Sequence, residues 1–190
     1  MLLMGTGSFA QKKPLCDFGL SESRGDQYET EWYSEQLAAL GEQCLSPAQF
    51  APKRPTYRFL WLRSFRHPVS ARLEIKEDGS GTIFLRETDG HSVIAPKGNK
   101  WGKLVRQTEV SVAKPEVDEF LKQLSKSGFW SSAFTRQLGN DGAQWIMESY
   151  DGSRYRMQQK WTPPDGDTFR AVCLKLMDLS KFDVKSEEIY

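Results

Sequence analysis

Among 190 residues there are only two histidines, His67 and His91, and three cysteines. The chain has no His-x-x-x-His, no Gly-x-Ser-x-Gly and no Cys-x-x-Cys. Those gaps remove the usual signatures of zinc proteases, serine hydrolases, zinc ribbons and redox dithiols. The glycine pairs Gly5/Gly7 and Gly79/Gly81 lack the Lys-Ser/Thr that a phosphate loop requires. No apolar run approaches the roughly 18 residues of a transmembrane helix, so no membrane span is expected. A formal net charge of +1 lacks the basic excess of a specific nucleic-acid binder. No cofactor or metal site is expected from these residues.

What is present is a composition suited to folding. Hydrophobic residues make up 38% and charged residues 27% of the chain, a balance that excludes disorder, collagen and coiled coil. A domain of this length removes roughly 70% of its unfolded surface from water and needs no metal to fold.

The segment Met1–Ala10 is apolar and small, with Ser8 and Ala10 at the positions a signal peptidase reads. It reads as a signal-peptide remnant cleaved after Ala10, although it has no basic n-region; the alternative is an ordinary loose terminus. Export to the periplasm or beyond would allow Cys16 and Cys44 to close a disulfide loop, leaving Cys173 as a buried thiol. In a cytosolic protein all three would stay reduced.

Residues 11–52 form an acidic N-terminal segment in which Glu31–Leu40 reads as a helix, with Tyr33, Leu37 and Leu40 on one face and Gly41 as its stop. Residues 53–190 read as one α+β domain, a mostly antiparallel sheet of five to six strands with helices packed on one face. Its centre is Tyr57–Phe65, where Phe59 and Trp61 alternate with Leu60 and Leu62, so both faces are apolar and both need cover. Val69–Lys76 and Thr82–Arg86 form a hairpin about Asp78-Gly-Ser-Gly81. Leu104–Val112 alternates again, with Leu104, Thr108, Val110 and Val112 on one side. Pro115 opens a helix carrying Val117, Phe120, Leu121 and Leu124. Gln144–Tyr150 and Ser153–Trp161 form a second hairpin whose Asp151-Gly152 dipeptide favours a type I′ turn. Asp167 caps a last helix with Phe169, Val172, Cys173, Leu176 and Leu179 as its buried stripe.

Three motifs, Tyr57-Arg-Phe-Leu-Trp-Leu-Arg-Ser-Phe65, Gly128-Phe129-Trp130 and Asp141-Gly-Ala-Gln-Trp145, give the chain a likeness over residues 55–180. It resembles a family of secreted bacterial proteins of uncharacterised function. The resemblance implies export and a single domain, and it implies no activity.

Charge is sorted along the chain. Asp17–Glu42 holds seven acids against Arg24, a balance of −6, while Lys53–Leu73 holds six bases and no acid, +6. Either the acidic segment lies across the basic strand and neutralises it, or one patch is left to steer a partner of opposite charge. The candidate partner-binding set is Arg58, Arg63, Arg66 and His67 beside Asp141, Gln144 and Trp145. Asp141 to Trp145 offers a carboxylate, an amide and an aromatic plane within five residues. The plainer roles are a turn at Asp141-Gly142, a core position for Trp145 and a turn-shaping hydrogen bond for His67. The reading that follows is an exported, non-catalytic binding or inhibitor-type module for a protein or anionic partner. The alternatives are a small hydrolase-like enzyme using His67 with Asp141 or another carboxylate, and a structural envelope component.

Overall fold

The computed structural model describes residues 15–20, 24–50, 52–92, 101–134, 136–137, 139–185 and 189. The signal-like segment 1–10 lies outside them, as do residues 93–100 of the expected loop.

Strand β1 (Thr56–Arg63) organises the rest, because every one of its eight residues is buried. Strand β2 (Val69–Ile75) pairs with one edge of β1, and β3 (Gly81–Thr88) and β4 (Leu104–Val112) follow outward as antiparallel neighbours. Helix α2 (Lys114–Lys126) then carries the chain back over the sheet, so that β5 (Ala143–Tyr150) joins the other edge of β1 and β6 (Tyr155–Trp161) flanks it. The result is a six-stranded antiparallel sheet in the order β4-β3-β2-β1-β5-β6.

The two periodicities of β1 are used separately. Phe59 and Trp61 join Val69, Ala71, Leu73 and Trp145 under Val117, Phe120 and Leu124 of α2 and the full apolar stripe of α3 (Thr168–Leu179). Asp167 caps α3 as expected, its carboxylate accepting from the Phe169 and Arg170 amides. Leu60, Leu62, Ile146 and Met157 face the opposite way and are covered by Trp32, Tyr33, Leu37 and Leu40 of α1 (Arg24–Ala39) and its C-terminal end. The α+β class and the antiparallel sheet are those expected, with α2 and α3 sharing one face. The second face of β1 is closed by the N-terminal segment.

Three local expectations change. Helix α1 begins at Arg24 rather than Glu31, because Glu29, invisible to an apolar count, is fully buried against Arg136 and Gln159. Strand β4 is an edge with only Val112 buried; Leu104 and Thr108 are exposed. The second hairpin does not have a type I′ turn, which needs two consecutive positive φ values. Only Gly152 has one (φ 100°), and Tyr150 pairs with Tyr155 across the four-residue loop 151–154. Asp151 organises that loop: Oδ1 accepts from the Ser153 and Arg154 amides at 3.0 Å each, and Oδ2 from Arg154 Nε at 2.7 Å.

Partial desolvation pushes the Asp151 carboxyl up, but these hydrogen bonds outweigh it and hold the pKa at about 2. A depressed carboxyl pKa stabilises the fold above the unfolded value of about 3.9, and the contribution is lost as pH falls through about 2. Allowing for solvent screening at a hairpin tip, Asp151→Ala should cost about 1 kcal/mol at pH 7, or about 2–4 °C in Tm for a chain of this size. Melting curves of the variant and the parent should converge between about pH 4 and pH 2.

Candidate functional site

The acidic segment does lie on the basic strands, and one residue makes the junction. Helix α1 ends in a Schellman motif: Gly41 N–H donates to Ala38 O (3.1 Å) and Glu42 N–H to Leu37 O (2.8 Å), with Gly41 at φ 70°. That reversal turns Glu42 onto the sheet, where it is 3% exposed. Its carboxylate accepts from Arg72 Nε at 2.8 Å and lies 3.4 Å from Arg58 Nη1 and 3.6 Å from Arg86 Nε. Two residues on, Cys44 is bonded to Cys16, so the expected disulfide pins the same stretch.

Arg58, in the middle of the sheet, is fully buried. Its guanidinium is held by Glu148 on the neighbouring strand (Nε–Oε2 2.8 Å, with Nη2 also donating), by Glu42 and by Gln43 O at 2.5 Å. Burial alone would lower its pKa, but Glu148 and Glu42 hold it above the ordinary arginine value. Arg72 is pulled down by burial, with Glu42 partly offsetting the effect. Tyr155 completes the shell by donating to Glu148 Oε1 at 2.9 Å. Arg58 is therefore an internal group whose donors are spent on two carboxylates and a main-chain carbonyl, and it cannot meet a partner as its sequence position suggested.

The other candidates gather at the far end of β1, in part. Gln144 and Trp145 are both fully buried. Trp145 packs at 5.1 Å from Phe59 and 5.2 Å from Trp61, and neither side-chain amide atom of Gln144 has a hydrogen-bond partner among the described residues. Both sit on β5, a strand enclosed by helices on each face, so they too are withdrawn from contact. Asp141 is exposed, on a loop joined to the β1–β2 turn: Ser64 N–H donates to Gly142 O at 2.9 Å, and Ser64 Oγ to Asn140 O at 3.3 Å.

Across that turn the fold builds a polar hollow of about 310 Å³ lined by Arg63, Phe65, Arg66, His67, Glu87, His91, Arg106, Phe182 and Asp183. Arg63, expected to meet a partner, is buried at 2% exposure: it stacks over Trp61 (4.5 Å) and donates from Nη2 to His67 O (2.9 Å), so it backs the hollow and fixes the turn. His67, 46% exposed at its side chain, has Nδ1 at 3.8 Å from Glu87 Oε1. Arg106 Nε lies 3.5 Å from Glu87 Oε2, and its guanidinium covers the Phe182 ring at 5.0 Å. Both histidines of the chain thus meet three arginines around two carboxylates. Glu87, His91, Arg106 and Asp183 escaped the sequence reading. Glu87 and Arg106 meet only through the β3–β4 register, and nothing in their spacing announces it.

The carboxylate set against His67 is that of Glu87, at a separation beyond a hydrogen bond. Among the described residues, no hydroxyl or thiol side chain lines the hollow. Among the described residues, no cluster of three or more His, Cys, Asp or Glu is placed to hold a metal, and no helix is long and apolar enough to cross a membrane.

Two stability outcomes follow from the Glu42 junction. Glu42→Gln leaves the buried Arg58 and the partly buried Arg72 and Arg86 without their shared carboxylate, so urea unfolding should show a loss of about 3–5 kcal/mol that added salt does not restore. Replacing Cys16 and Cys44 with serine should cost about 3.5 kcal/mol by the chain-entropy relation for a 28-residue separation, read in the same assay without reductant. A loss below about 1 kcal/mol in either case would show that the segment is not held as described. Compared with protein-family models and with curated proteins, the chain matches none.

Proposed function

We propose that this chain is an exported, non-catalytic binding module, of the inhibitor type, that takes an acidic segment of a protein partner or another anionic ligand at the hollow beyond β1. The observation that carries the proposal is the convergence there of Arg63, Arg66, Arg106, His67 and His91 around Glu87 and Asp183. With the buried Arg63 behind them, the arginines of the lining exceed its carboxylates by one charge. Phe65, at 68% exposure, stands at the rim and offers the apolar anchor that a peptide interface uses. Arginine suits the task because its planar fork binds carboxylates through two parallel hydrogen bonds. The Cys16–Cys44 disulfide supports export, since such bonds persist in oxidising compartments.

The test is fluorescence anisotropy of the full chain with a labelled ten-residue polyglutamate peptide. Saturable binding that weakens with salt is expected, and Arg66→Ala with Arg106→Ala should reduce affinity about tenfold or more. Arg154→Ala, on the second hairpin loop, should leave affinity unchanged. An unaltered affinity in the hollow variant, or equal loss in the hairpin control, would overturn the assignment.

A further inference from the structure

On the opposite side of the molecule, the end of α1 and the chain leading into β1 leave two adjoining hollows of about 480 and 520 Å³ that share Glu42, Gln43 and Phe50 as a common wall. Their linings differ in kind. The first is flanked by Lys53, Arg54, Arg72 and Arg86, against Glu42 and Glu74. The second is walled by Leu15, the Cys16–Cys44 disulfide, Leu37, Ala38 and the Phe50 ring.

The polar groups of the second hollow are occupied by the chain itself. Ser34 Oγ accepts from Cys16 N–H at 2.8 Å, and Gln49 accepts from Asp17 N–H at 2.7 Å while donating to Leu15 O at 2.5 Å. Glu35 at the edge of this hollow accepts from Trp101 Nε1 at 2.7 Å, and with Gln43 on the shared wall the remaining open surface is mostly apolar. In the first hollow Glu42 is drawn inward by Arg58, and Glu74 is paired with Arg72. Lys53 and Arg54 are exposed and make no ion pair among the described residues. Phe50, 44% exposed, divides the cationic compartment from the apolar one.

We propose that the two hollows form one amphipathic groove that binds a free single-chain amphiphile with an anionic head. The head lies among Lys53, Arg54, Arg72 and Arg86, and the tail runs past Phe50 along the disulfide, Leu37 and Ala38. Charge complementarity selects this occupant: Lys53 and Arg54 are exposed without an ion pair among the described residues, and a neutral or cationic head would leave them so, whereas Arg72 and Arg86 already face Glu42 and Glu74. The volumes fall in the range of small-molecule sites. The groove shares no residue with the hollow beyond β1, so its test is independent of the function proposed above.

Isothermal titration calorimetry of the oxidised full chain with dodecanoate, kept below its micellar range, tests the proposal. Saturable binding of one molecule per chain is expected. Dodecyltrimethylammonium, with the same tail and the opposite head, should bind about tenfold or more weakly. Lys53→Glu with Arg54→Glu should weaken dodecanoate by about tenfold or more and leave the melting curve in place, since both side chains are exposed. Phe50→Ala should weaken both amphiphiles alike. Absence of saturable dodecanoate binding, equal affinity for the two heads, an unmoved affinity in the charge-reversed variant, or binding only to anionic vesicles would each overturn it.

Discussion

A guanidinium in the middle of a β-sheet is the constraint from which the rest of this structure follows. Arg58 has no access to water, and an unpaired buried charge would cost several kcal/mol. One counter-charge, Glu148, comes from the adjacent strand, but it is also engaged by Tyr155. The second, Glu42, has to come from outside the sheet, and it arrives only because α1 lies across β1 and ends in a turn that reverses the chain at Gly41. The acidic segment is therefore part of the fold's electrostatics and closes a face that would otherwise be open. Its apolar contacts, Tyr33, Leu37 and Leu40 on Leu60 and Leu62, bury the surface, while Glu42 sets the position along the strand.

This arrangement divides the charge of the molecule into two classes. Arg58 and Arg72 of the basic stretch, together with Arg86 from β3, are committed to Glu42, and Arg63 is buried at the end of β1, so half of the six bases are internal or nearly so. What remains for partners is at the sheet end, around the 64–68 turn, and at the lip formed by Lys53 and Arg54. The hollow beyond β1 and the groove beside the disulfide are separate because β1 itself, sealed on both faces, runs between them.

Much of the framework was readable residue by residue. The alternation of Phe59 and Trp61 with Leu60 and Leu62 required a strand covered on two sides; Asp167 before Phe169 announced a capped helix; Cys16 and Cys44 could close a loop if oxidised. The candidate site was less legible. Arg58, Gln144 and Trp145 looked available because a linear sequence does not say which polar residue of an alternating strand will meet a helix instead of solvent. Glu87 and Arg106 were unremarkable until the β3–β4 register set them side by side. Asp151-Gly152 suggested a two-residue turn, but the carboxylate's local hydrogen bonds stabilised a four-residue loop instead.

By itself the sequence determined the α+β class, the identity of the central strand and the segregation of opposite charge, because periodicity and composition act over short distances along the chain. Tertiary structure alone decided that Glu42 is the residue that closes the charge network, that the two histidines share a hollow with three arginines, and that four of the seven apparent binding residues are buried. Those outcomes depend on strand register and on the face over which α1 lies, and both are settled by contacts between residues far apart in sequence.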